Sequence, residues 1–124
     1  MPWNLNADSP IYLQLVERIQ MDIVSGFYQP GGKLPSVRDL AAEASVNPNT
    51  MQKAFAELER SGLIVTQRTN GRTVTEDSEM INMIRRQLAQ EYVTGFFTKM
   101  KELGFKNEEI VAIIEKATKE GENS

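Results

Sequence analysis

The chain of 124 residues contains no cysteine and no histidine. Without cysteine there is no disulfide framework, and thiolate metal sites are excluded. Without histidine the commonest general base and the commonest transition-metal ligand are both missing. No apolar run approaches the roughly 20 residues that a membrane-spanning helix needs. The opening Met-Pro-Trp-Asn-Leu-Asn stretch has neither the basic nor the apolar region of a secretory signal. Closely spaced acids such as Glu57 and Glu59, or Glu108 and Glu109, point apart on a helix and lie at solvated ends, so they form no acid–base pair. These absences lead to the expectation of a cytoplasmic, non-enzymatic protein with no metal, no cofactor and no membrane partner.

What is present is an uneven charge distribution. The net charge is −3. Residues 1–75 carry seven Lys/Arg and seven Asp/Glu, whereas residues 76–124 carry seven and ten, so the acidity belongs to the tail. In the neutral front part, Lys33, Arg38, Lys53, Arg68 and Arg72 gather around one predicted motif, with Asp22, Glu57 and Glu59 expected on other helical faces. A neutral domain with a basic face can bind DNA through its phosphates.

The hydrophobic pattern is mainly α with one small β-hairpin. Ile11, Leu15, Ile19 and Ile23 recur every four residues, with Tyr12, Val16 and Val24 widening the stripe. Ser9 as cap and Pro10 at the first helical position would open this helix, and Gly26 would close it. Gln29-Pro30-Gly31-Gly32 is a turn cluster. Ser36-Val37-Arg38-Asp39 has the form of a capping box, opening a short helix with Val37, Leu40, Ala41 and Ala44 on its buried side. A third helix opens at Asn47 and Pro48, with Met51, Ala54, Phe55 and Leu58 as core and Gly62 as its stop. Leu63–Thr66 and Arg72–Thr75 are β-branched runs joined through Asn70-Gly71, a tight-turn signal. That order, over residues 1–76, is a winged helix-turn-helix.

The start of the third helix carries the functional expectation. Asn47, Asn49, Thr50 and Gln52 occupy its first turn and a half, with Lys53 beside them. Asn and Gln pair bidentately with adenine, and Thr meets a thymine methyl or a phosphate. Taken alone, such a stretch is better explained by capping and solvation; the neighbouring short helix and basic hairpin tip turn the balance toward DNA. Arg38 is expected to meet a phosphate or guanine, and Ser36 to be first a cap and second a phosphate donor. Arg68 and Arg72 flank the tip, where they would grip phosphate or enter a minor groove, and Gly71 would let the backbone approach the DNA closely. An arginine at a hairpin edge also serves simply to prevent strand pairing.

Residues 77–124 form a second region. Ser78 would cap a long helix striped by Ile81, Ile84, Leu88, Tyr92, Phe96 and Met100, broadened by Val93, Phe97 and Leu103, and ended by Gly104. Asn107-Glu108-Glu109 opens a further helix with acids in its first turn, where the helix dipole favours them, and Ile110, Ile113, Ile114 and Ala117 give it one apolar face. A helix pair alone covers its stripe poorly. Ile84, Leu88, Tyr92, Phe96, Phe97, Met100, Ile110 and Ile114 are therefore expected to form a dimerisation surface. The alternative is packing back on the winged-helix region. Gly95, in mid-helix, would mark a kink or a close helix crossing.

Pro10 to Thr75 resembles the DNA-binding domain of the GntR family of bacterial transcription regulators. The resemblance rests on Pro10-Ile11-Tyr12-Leu13-Gln14, Gly26, the run from Pro30 to Ala41, and Val46-Asn47-Pro48-Asn49-Thr50. It continues through Ala54, Leu58, Gly62-Leu63-Ile64 and Gly71. The family usually attaches a large effector-binding or aminotransferase-like domain after the wing; a two-helix tail is similar to its YtrA-like subgroup, whose tails dimerise. The resemblance implies a homodimeric repressor of a transporter operon, bound to a pseudo-palindromic double-stranded operator. By it, Arg38 matches the arginine of the second helix, Asn47, Asn49, Thr50 and Gln52 the start of the recognition helix, and Gly71 the wing tip. Several members carry arginine near Pro48 or Gln52, and this chain does not, so the resemblance does not carry over a preferred base sequence. Two rival readings are a winged-helix protein-interaction module that binds no DNA, and a regulator with a small-molecule effector held between the tail helices.

Overall fold

The computed structural model describes residues 3–123, with side chains to residue 121. Its elements are α1 (Ile11–Val24), α2 (Val37–Ala44), α3 (Pro48–Arg60), β1 (Ile64–Gln67), β2 (Gly71–Val74), α4 (Ser78–Glu102) and α5 (Asn107–Asn123). Two compact units divide inside α4, the first ending at Arg85 and the second starting at Arg86. The division lies beyond the polar break after Thr75 because the first turns of α4 belong to the head. Ile81 is buried, and Met80 lies against Gly62.

In the first unit, α3 packs on α1 and α2 and touches β1. The core draws Leu15, Ile19 and Ile23 from α1, Leu40 and Ala41 from α2, and Met51, Ala54, Phe55 and Leu58 from α3. Leu63, Ile64 and Val74 close it, and none of these is more than 2% exposed. Burying each large apolar side chain stabilises the fold by about 1.5–3 kcal/mol. The period-four stripe of α1 and the core face of α3 thus lie where their spacing placed them.

The helix ends show which local signals prevailed. α1 starts at Ile11, with Pro10 just outside it and no side-chain cap. Gln14 holds the incoming chain instead, donating from Nε2 to the carbonyls of Asn6 and Ser9, both at 2.8 Å, so Ser9 is not the cap. Ser36 does cap α2, accepting the N–H of Asp39 at 3.1 Å. Ser45 ends α2 in the left-handed region, at φ 58°, and its turn hands the chain directly to α3. Asp77, not Ser78, caps α4: its Oδ1 accepts the N–H of Met80 at 3.2 Å. Thr75 Oγ1 in turn accepts the N–H of Asp77 at 3.1 Å.

The hairpin differs from the tight two-residue turn that Asn70-Gly71 suggested. Gln67 lies opposite Gly71 and Thr66 opposite Arg72, so Arg68-Thr69-Asn70 form a three-residue tip. Gly71, at φ +70°, is the first paired residue of the return strand. β2 is also paired on its other edge. Lys33 bridges Thr73, Leu34 N–H donates to the Arg72 carbonyl at 2.9 Å, and Val74 N–H donates to the Gly32 carbonyl at 2.9 Å. The residues around Lys33, just after the turn cluster, therefore add an isolated bridge to the second edge of β2, which sets Lys33 beside the base of the wing.

The amino-terminal segment is fastened to the first unit through Trp3. The Arg18 guanidinium sits 4.5 Å from the Trp3 ring centroid, and Trp3 Nε1 donates to Glu43 at 3.3 Å. Arg18 also pairs with the buried Asp22 at 3.1 Å. Burial, helped by the carboxylates of Asp22 and Glu43, pushes the Tyr28 phenol above its ordinary range.

The second unit continues α4 without a break at Gly95, where a side chain would meet open space. Gly104, at φ +95°, ends the helix, and Glu109 reaches back to accept the N–H of Lys106 at the start of α5. Leu88 and Ile110, expected on the dimer surface, are buried within the single chain. Tyr92, Val93, Phe96, Leu103, Val111, Ile113 and Ile114 are exposed. Phe96 and Phe97 stack edge to face with centroids 6.0 Å apart.

Candidate nucleic-acid interface

α3 is built to present its first turns to solvent. Asn47 caps the helix, its Oδ1 accepting the N–H of Asn49 at 2.8 Å, and Pro48 follows at the first position. Asn47 thus spends one oxygen on the backbone, leaving its amide N–H₂ exposed. Asn49, Gln52 and Lys53 are all exposed, and at spacings of three and four they share one helical face. Thr50 is half-buried at the edge of that face. Ala56, exposed one turn further on, extends the stripe; sequence reasoning passed over it, although helical spacing from Asn49 and Gln52 marks it. A small residue there leaves room for a close approach.

The cations fall into two sets. Arg38, near the start of α2, and Arg68, at the wing tip, are exposed and have no carboxylate partner among the described residues. Lys53 is also exposed, and its Nζ rests 3.8 Å from the Tyr12 ring centroid, which steadies the ammonium on the α1 side of the recognition face. The Lys33 side chain passes 4.0 Å from where a Cβ on Gly71 would stand. The second set is already engaged. Arg60 pairs with Glu57 at 2.7 Å, and this hydrogen bond holds the Glu57 carboxyl below its ordinary range.

Arg72, expected to grip DNA, belongs to the engaged set. Its Nε donates to Glu59 at 2.5 Å, and its guanidinium lies 5.4 Å from the Phe55 ring centroid. Glu59, expected on another face, is in fact the wing's anchor on α3. Gly71 sits at the foot of the tip rather than on it, so Arg68, Thr69 and Asn70 are the residues that reach furthest. Ser36 is exposed, with its hydroxyl oxygen occupied as the α2 cap. Among the described residues no group of three or more acidic side chains converges to hold a metal ion, and no helix is long and apolar enough to cross a membrane.

A capped helix with a polar leading face, a short helix packed on it and a hairpin with an exposed arginine at its tip make up a winged helix-turn-helix. Residues 11–74 match the family described as bacterial regulatory proteins, gntR family. The chain belongs to the GntR family. Along nearly its whole length this GntR protein is similar to YhcF of Bacillus subtilis, an uncharacterised HTH-type transcriptional regulator. The two are 39% identical over 115 residues, covering 93% of this chain and 95% of YhcF. The HTH-type transcriptional repressor YtrA of the same species is 40% identical over 97 residues, covering 73% and 75%. The solved GntR family transcriptional regulator from Listeria monocytogenes superposes with a TM-score of 0.82 at 40% identity, covering 90% of this chain and 98% of that one. The AraR DNA-binding domain, solved in complex with operator ORX1, matches 58% of this chain at TM-score 0.54 and 26% identity. The GntR protein is accordingly a DNA-binding transcriptional regulator, mainly helical with a small β-wing.

Proposed function

We propose that this GntR regulator is a repressor that binds a pseudo-palindromic operator as a homodimer. In this reading residues 1–76 bind DNA and residues 77–124 dimerise, with the first turns of α4 bracing the head. Each α3 enters a major groove and reads one half-site, while the wing tips hold flanking backbone. The observation that carries the reading is the solvent-facing stripe of Asn49, Gln52 and Lys53 on a helix whose opposite face is fully buried. Asn49 and Gln52 are suited to adenine edges, and Thr50 to a thymine methyl or phosphate. Lys33, Arg38, Lys53 and Arg68 supply phosphate contacts and most of the salt-dependent affinity.

Dimerisation is supported by the apolar residues that the tail leaves in solvent. Tyr92, Phe96 and Ile114 stay exposed, and Ile84, Phe97 and Met100 are only half-buried. Leu88 and Ile110 drop out of the surface because they are already covered. Repression is supported by the likeness to the YtrA repressor, and a transporter operon as target by the resemblance of the two-helix tail alone. An effector remains an added feature of the same reading. The concavity found in the tail, about 640 Å³, is lined by Gln87, Gln90, Glu91, Thr94 and Gly95. These residues all lie on α4, and none of them is aromatic.

The test is fluorescence anisotropy of the purified protein against DNA from upstream of its own gene, beside a scrambled duplex, over a salt series. Sequence-dependent, salt-sensitive binding with two protomers per site is the expected result. Equal, weak binding to both duplexes, together with failure to select any bound genomic fragment, would overturn it in favour of a protein-interaction module.

A further inference from the structure

The structure assigns Arg72 and Glu59 a shared positioning role: they lash the wing to the recognition helix and so set where Arg68 meets DNA. The inference rests on the DNA-binding reading above. Arg72 lies at the second position of β2, where the backbone is held on both sides. Thr66 is its partner in β1, and Leu34 N–H donates to its carbonyl at 2.9 Å. The side chain leaves this fixed point and ends on α3. There Glu59 accepts its Nε hydrogen bond at 2.5 Å, and the Phe55 ring lies 5.4 Å away. Both side chains of the ion pair are only about a third exposed, at 29% and 32%. Phe55 is fully buried, so the surface that Arg72 rests on does not yield.

Three consequences separate this role from a direct DNA contact. A phosphate would have to compete with a carboxylate already bonded to the guanidinium. The wing's reach then falls to Arg68, which has no carboxylate partner among the described residues and stands on a three-residue tip beyond the Arg72 anchor. Finally, Glu59 is an acid on the DNA-reading helix. Removing its charge should strengthen DNA binding by simple electrostatics, unless the pair is needed to aim the wing.

The sign of the Glu59→Gln effect is therefore the test, read by anisotropy on the bound duplex across a salt series. Counterion release makes one lost phosphate contact cost about eightfold per protomer near 0.1 M salt, with the log–log salt slope reduced by about 0.9. Glu59→Gln is expected to weaken binding on that scale, although it removes a negative charge. Arg68→Ala is expected to do the same, and the double variant to bind like Arg68→Ala alone, because the contact being aimed is already gone. Glu59→Asp keeps the charge but shortens the reach, and should weaken binding in the same direction. It also serves if Glu59→Gln fails to fold. Unchanged or tighter binding by these variants, or losses that add to that of Arg68→Ala, would overturn the positioning role. Parent protein that discriminates no duplex at all would instead overturn the DNA-binding reading itself.

Discussion

Replacing Arg38 by alanine isolates one electrostatic contact with little interference from folding. The side chain is exposed on α2 and has no carboxylate partner among the described residues. Exposed substitutions of this kind change stability by less than about 0.5 kcal/mol, and alanine is at least as good a helix former as arginine. If Arg38 neutralises one phosphate per protomer, its loss lowers the slope of log affinity against log salt by about 0.9 per protomer, or about 1.8 for a dimer. Between about 50 and 200 mM salt, the penalty should therefore shrink roughly 3.5-fold per protomer as counterions screen the parent's advantage. Anisotropy titrations of parent and variant at four salt concentrations measure this directly. The loss should be similar on operator and scrambled DNA, since a phosphate contact carries no sequence information. An unchanged slope would refute the phosphate contact. A loss confined to the operator would mean that Arg38 reads a base.

Asn49→Ala should leave the melting temperature nearly unchanged while reducing discrimination between the operator and a single-base variant by about 1–3 kcal/mol; competition binding with the two duplexes checks it. Gly62→Ala places a side chain at φ +86° and 3.2 Å from Met80 Cε. It should destabilise the fold by about 1–2 kcal/mol, read by denaturant unfolding. Phe96→Asp should shift the protein from dimer to monomer in sedimentation velocity and weaken operator binding. If the variant stays dimeric, the exposed tail residues are not the interface.

Much of the head was legible in the sequence because its signals are local. The stripe from Ile11 to Ile23, the Ser36 cap and the Asn47-Pro48 opening each depend on residues a few positions apart, and the structure places them accordingly. The candidate DNA residues of α3 followed from the same spacing. The misplaced features are those that tertiary pairing decides. Asn70-Gly71 signals a two-residue turn, yet pairing of β2 on both edges fixes a register in which Gly71 is already in the strand. Arg72 is indistinguishable from Arg68 by type and position. Only the fold brings Glu59, thirteen residues away in sequence, to one and not the other. The same holds for Lys33, whose segment joins the sheet through backbone bonds that no side-chain pattern announces. The choices between Ser9 and Pro10, and between Asp77 and Ser78, turned on neighbouring hydrogen bonds, donated by Gln14 in the first case and accepted by Thr75 in the second.

Trp3 has a practical use that follows from where it is held. It is the chain's one tryptophan, stacked under the Arg18 guanidinium and bonded to Glu43 on α2. Its emission therefore watches the head alone, and the second unit carries no such fluorophore. Far-ultraviolet dichroism, by contrast, is weighted toward the long helices α4 and α5. If the two units melt separately, the two optical signals will trace different curves, and their divergence will separate the steps without any label. Coincident curves would mean that head and tail unfold as one cooperative body.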